Sequence, residues 1–131
     1  MRFQLKVRRG ARALVMLVRT GIGFDEFVTC RCDEHDFDDA LRYAQSHVAL
    51  PTFVVGGDFA IEVASRVLDL RGVVAIEPTN AAAVARLQVP VLLIGGSEAV
   101  AASAPDASHL SSTGDTALIA RVAARFIGAY A

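Results

Sequence analysis

Four side chains able to attack carbon or move protons stand at or beyond the ends of apolar segments: Asp58, Glu77, Glu98 and His109. Carboxylates and a histidine are the residue types of nucleophilic and general acid–base catalysis. Their placement adds weight, because open parallel sheets bind ligands beyond the carboxyl ends of their strands. Each residue also has a simpler job. Asp58 suits the N-cap of a helix over 58–69, and His109 suits an ordinary loop before the last helix. Glu77 and Glu98 suit solvated strand ends. Cys30, Cys32 and His35 offer three metal-ligand types, but two thiols on one strand face more often simply pack, and no metal is expected. Gly21 and Gly23 are not followed by a helix carrying Lys or Ser/Thr, so no phosphate loop and no cofactor are expected.

The elements that must hold these residues are legible from periodicity. Residues 2–8 alternate, Phe3, Leu5 and Val7 against Arg2, Gln4, Lys6 and Arg8, as a half-solvated strand near a sheet edge does. Residues 13–18 are continuously apolar and read as a strand buried on both faces. Thr20 to Gly23 form a tight loop, and FVTCR (27–31) a short strand. A helix follows Asp36, with Phe37, Ala40, Leu41, Ala44 and Val48 on one face. Strand 52–56, helix 58–69, strand 72–76, helix 80–88 and strand 89–95 then alternate. Residues 97–113 are small and polar, with weak helical character only at their start. The last helix runs from about Thr116 to Tyr130 behind Asp115, with Leu118, Ile119, Val122, Phe126, Ile127 and Tyr130 as its inward stripe. Strands alternating with single helices require a mostly parallel sheet with right-handed crossovers. The expectation is one α/β domain over 1–131, a three-layer α/β/α sandwich.

Composition narrows the class. Apolar residues make up 53% of the 131 and charged residues 21%, which excludes disordered and fibrous chains. Thirteen basic and fourteen acidic residues give a net charge of −1, so neither nucleic acid nor an anionic membrane is an expected partner. The opening MRFQLKVRRG lacks the apolar centre of a signal peptide, and the two cysteines are poorly spaced for a mutual disulfide. A cytoplasmic protein with reduced thiols is expected. So small and apolar a domain leaves apolar surface uncovered, which predicts a homodimer.

The run VVGGDFAIEVA (54–64), then RGVVAIEP, VPVLLIGGSE and PDASHLSS before a final amphipathic helix, resembles the α/β-hydrolase superfamily. In that family a strand enters a nucleophile elbow flanked by small residues. Here the elbow is Gly56-Gly57-Asp58-Phe59-Ala60, with Asp58 where serine usually stands, as in haloalkane dehalogenases and epoxide hydrolases. The resemblance implies hydrolysis of a small uncharged ester, halide or similar substrate. Asp58 would form an ester with substrate and His109 would activate water. Glu98 or Glu77 would orient the imidazole, and the amides of Ile22 and Phe59 would face the developing anion. The chain lacks the family's cap and has no tryptophan to hold a halide. Residues 97–108 look too short for the family's usual helix and strand. The competing expectation is therefore a cap-less, catalytically inactive member that serves as a binding or assembly module.

Overall fold

The computed structural model describes residues 2–131. Seven strands and five helices follow one another: β1 (Gln4–Lys6), β2 (Leu14–Val18), β3 (Val28–Cys32), α1 (Phe37–His47), β4 (Thr52–Gly56), α2 (Asp58–Arg66), β5 (Leu70–Ile76), α3 (Ala81–Ala85), β6 (Val91–Ile94), α4 (Glu98–Ser103), β7 (Ser108–Leu110) and α5 (Thr116–Tyr130). All strands join one sheet in the order β1-β3-β2-β4-β5-β6-β7. Only β1 runs antiparallel, pairing Gln4 with Arg31 and Lys6 with Thr29. No helix among the described residues is long and apolar enough to cross a membrane.

The central strands follow from their composition. β2 buries all five of its residues, and side chains two apart share a face. Leu14, Met16 and Val18 accordingly join one apolar cluster with residues of α1, α2, α3 and α4. Ala13, Val15 and Leu17 join a second cluster with Ile119, Ala123, Phe126 and Ile127 of α5. Continuous apolar strands can be buried this way only if both faces are covered.

The structure differs from the sequence expectation at several elements, with β1, α3 and β6 also shorter than expected. The segment 97–113 is ordered into α4 and β7, so residues 97–108 do accommodate a helix and the start of a strand. Pro105 ends α4 after six residues, and Ser97 caps it by accepting from the Val100 amide at 3.3 Å. Helix α2 ends at Arg66, and Leu68 lies 95% exposed beyond it. The inward stripe of α5 is rotated, with Ala123 at its centre and Tyr130 exposed. Asp36 occupies the N-cap of α1 but makes no side-chain capping bond, whereas Asp115 caps α5 as expected, accepting from the Leu118 amide at 3.0 Å.

The parallel pair β2 and β3 is joined without a helix. Residues 19–27 cross over as a loop, burying Ile22, Phe24 and Phe27 against the α5-side cluster. This loop stands in for the helix that usually closes such a crossover.

One glycine tests the packing of the α5 side. A Cβ on Gly72, inside β5, would lie 3.0 Å from the Phe53 ring and 3.3 Å from the Phe126 ring. Both rings are buried and face each other edge-on at 6.5 Å. Gly72→Ala is expected to lower unfolding stability by about 1–3 kcal/mol through overpacking, read from the urea midpoint at an unchanged slope.

Candidate functional site

The chain leaves β2 toward β3 on one side and leaves β4 toward β5 on the other. The carboxyl ends of β2 and β4 therefore flank the topological switch point, where open α/β sheets place their ligands. Gly56 lets the two strand ends meet, since a Cβ there would sit 3.1 Å from the Val18 carbonyl oxygen. Asp58 stands just beyond this crevice as the first residue of α2, with Gly57 at the N-cap. Its φ is not in the left-handed region that a strained elbow uses.

The Asp58 carboxylate points neither back onto its own helix nor toward the histidine. Oδ1 accepts from the amides of Thr79 at 2.8 Å and Asn80 at 3.3 Å, and Oδ2 accepts from the Thr79 hydroxyl at 2.5 Å. The side chain thus ties the β4–α2 turn to the loop between β5 and α3. Partial burial works to raise its pKa, but the bonds from Thr79 and Asn80 outweigh that and hold it below the ordinary value. Asn80 in turn caps α3, its side-chain oxygen accepting from the Ala83 amide at 3.0 Å.

Glu77 performs the same kind of fastening one strand further along. At the end of β5 it adopts φ 51°, a left-handed conformation uncommon for a residue other than glycine. One carboxylate oxygen accepts from the Ser112 hydroxyl at 2.6 Å, and the other from the Gly96 amide at 3.1 Å. The Ser112 bond, followed by that from Gly96, lowers the Glu77 pKa. Gly95, at φ 71°, must be glycine here, because a Cβ would overlap both Glu77 Oε1 and Ser112 Oγ. One carboxylate therefore joins the ends of β5, β6 and β7.

The remaining candidates are dispersed. His109 lies within β7, opposite Leu93, and its Nε2 is 3.4 Å from the Gly95 carbonyl oxygen. It belongs to a strand and not to a loop as expected. With neighbouring strands roughly 4.8 Å apart, β7 lies about 14 Å across the sheet from β4, and among the described residues no hydrogen bond joins His109 to Asp58. Glu98 is exposed in the first turn of α4, with no ion pair among the described residues. The Ile22 amide donates to the Thr20 hydroxyl at 3.3 Å, inside its own loop. Phe59 is the second residue of α2, where amides lack an intrahelical acceptor, and its ring packs edge-on against Phe37 at 5.6 Å.

Thr79, Asn80 and Ser112 complete the site, and sequence reasoning passed over them. The available signal was their position, in polar turns directly beyond β5 and β7. Cys30 and Cys32 are free and buried. Burial pushes the Cys30 thiol up to about 11. Burial, then the neighbouring Cys30 and acidic groups, pushes Cys32 up to about 12. Neither is a ready nucleophile at neutral pH, and among the described residues no three His, Cys, Asp or Glu gather to hold a metal. Comparison with protein-family models and with curated proteins finds no match.

Both fastening carboxyls ionise below their ordinary values of 3.8 for Asp58 and 4.5 for Glu77. The native state then binds fewer protons than the unfolded chain in acid. Their stabilisation is fully present above about pH 5 and is lost as pH falls through the depressed native values. In thermal melts, Asp58→Ala/Glu77→Gln is expected to melt below the wild type at pH 7. The gap should shrink progressively below about pH 4.

Proposed function

We propose that this chain is a catalytically inactive binding or assembly module on an α/β-hydrolase-like, three-layer frame. The strand order, the single antiparallel edge strand and the helical residues packed on each face support that frame. So does the small-residue turn Gly56-Gly57-Asp58 leading from β4 into α2. The observation that carries the inactive reading is the Asp58 carboxylate, both of whose oxygens are occupied by Thr79 and Asn80. A nucleophile must be free to approach carbon, and a water-activating base must lie within about one water of the ester it opens. The bonds that Asp58 accepts from Thr79 and Asn80, and the His109 contact with the Gly95 carbonyl oxygen instead of with Asp58, support the inactive reading.

One observation favours the hydrolytic reading, in which Asp58 attacks a small uncharged ester or halide, His109 activates water and Glu98 or Glu77 orients it. Glu77 holds a left-handed backbone beside the site, and such outliers cluster at functional centres. Its two hydrogen bonds account for it structurally.

The test is a panel of small esters, haloacids and epoxides assayed with wild type, Asp58→Asn and His109→Gln. The expected outcome is no turnover above background in any variant and no added mass on Asp58. A substrate-derived covalent adduct on Asp58 that accumulates in His109→Gln would establish the hydrolase instead.

Assembly has its own support. Phe3 and Leu5 pack inward, leaving Val7 62% exposed at the end of β1. Because β1 is antiparallel, Val7 lies at the same end of the sheet as exposed Leu68, away from the strand-end site. Light scattering at micromolar concentration is expected to report a dimer or larger, and Val7→Ser/Leu68→Ser a monomer.

A further inference from the structure

The helix-free crossover leaves an opening at one corner of the sheet. Gln4 pairs opposite Arg31, and Lys6 opposite Thr29. Directly opposite residues share a face, as do residues two apart, so these four side chains form one tile. Thr29 and Arg31 also lie beside Val15 and Leu17 in register, which places the tile on the α5-side face. No helix reaches it. The loop 23–25 walls it instead, enclosing a recess of about 560 Å³.

Two features of this recess point to a ligand. The first is a preset Arg31. Its guanidinium donates to the Thr20 and Ile22 carbonyl oxygens, the latter at 2.8 Å. That grip fixes the guanidinium and uses two of its five N–H donors, leaving three on an exposed residue. The second is uncompensated charge. Neither Arg31 nor Lys6 forms an ion pair among the described residues. The only carboxylate on the recess wall is Asp25. Residues 2–34 carry seven basic side chains, Arg2, Lys6, Arg8, Arg9, Arg12, Arg19 and Arg31, against four acids, Asp25, Glu26, Asp33 and Glu34. One of these acids, Glu34, pairs with Arg19 at 3.4 Å, so this segment is net positive in a chain whose net charge is −1.

We propose that the recess binds a small organic anion, a carboxylate or phosphate monoester, held by the Arg31 fork and the Lys6 ammonium. Thr29 and Gln4 supply neutral hydrogen bonds from the floor. The volume falls in the range of small-molecule sites, roughly 300–1,000 Å³. A floor of two residue pairs and an edge strand of three residues are too short to seat a macromolecular strand. A planar fork beside a point charge suits a carboxylate or phosphate. The site uses none of the strand-end residues, so it stands or falls apart from the inactive-module reading.

The test is titration of the intact chain with phenyl phosphate and with benzoate, followed by ¹H–¹⁵N NMR. Saturable shifts are expected at Lys6, Gly23, Phe24, Asp25 and Arg31 with at least one probe, and the tighter probe names the anion class. Lys6→Gln should weaken binding at least fivefold, and Asp25→Asn should tighten it. Arg9→Gln, which removes an equal charge outside the recess, should change it less than twofold. Unchanged spectra for the variants in the absence of probe show that the fold is intact. The proposal is overturned if neither probe shifts these residues at millimolar concentration. It is equally overturned if Lys6→Gln and Arg9→Gln weaken binding alike, or if shifts appear only at Arg8, Arg9 and Arg12.

Discussion

The burial of β2 on both faces is the constraint from which the rest of the structure follows. A parallel strand with no solvent-facing residue needs apolar cover above and below, and the chain must supply it from successive crossovers. Four helices provide one cover. On the other side α5 works almost alone, helped by Ile22, Phe24 and Phe27 from the crossover loop. The uneven division explains why the sheet corner at β1 and β3 carries polar side chains on one face. Arg31 sits beyond the reach of α5, where an apolar residue would face water, while Thr29 beneath it is buried.

A parallel sheet also gathers its loops at one end, where closely spaced backbones need polar partners. In this chain two carboxylates meet much of that need. Asp58 links the ends of β4 and β5, and Glu77 links β5, β6 and β7. The residue types that suggest catalysis are therefore bound into the wall of the site. Charged acceptors make stronger hydrogen bonds than neutral ones, which suits them equally to holding loops and to chemistry. Only the partners of each oxygen separate the two roles.

That distinction marks the limit of what the sequence alone could tell. The continuous apolar runs at 13–18, 52–56, 72–76 and 89–95 announce buried parallel strands, and β2, β4, β5 and β6 lie there. The helical spacing from Phe37 to Val48 and over 116–130 announces the two long helices. The segment 97–113 was opaque because its alanines and serines carry little hydrophobic signal, and its order comes from pairing with β6 and from the Ser97 cap. Asp58 and His109 were each visible, but not the strands they stand beside or how many intervene between them, a property of topology that no local pattern encodes. The Arg31 grip on the Thr20 and Ile22 carbonyls was hidden for the same reason, since backbone acceptors leave no trace in residue type.

The two buried thiols of β3 give this architecture a built-in reporter. Burial holds the Cys30 thiol well above its ordinary range, up to about 11, so it is protonated at neutral pH. Both sulfurs lie on the face covered by α1, on a strand held between β1 and β2. Cys30 is wholly buried, so an alkylating reagent reaches it only when α1 lifts away or the short β1 unzips from its neighbour. Cys32, by contrast, borders a recess beside Arg2, Phe3 and Asp33, so the reporter is the label at Cys30. The labelling rate of the native chain then measures how often this corner of the sheet breathes, without any change to the sequence.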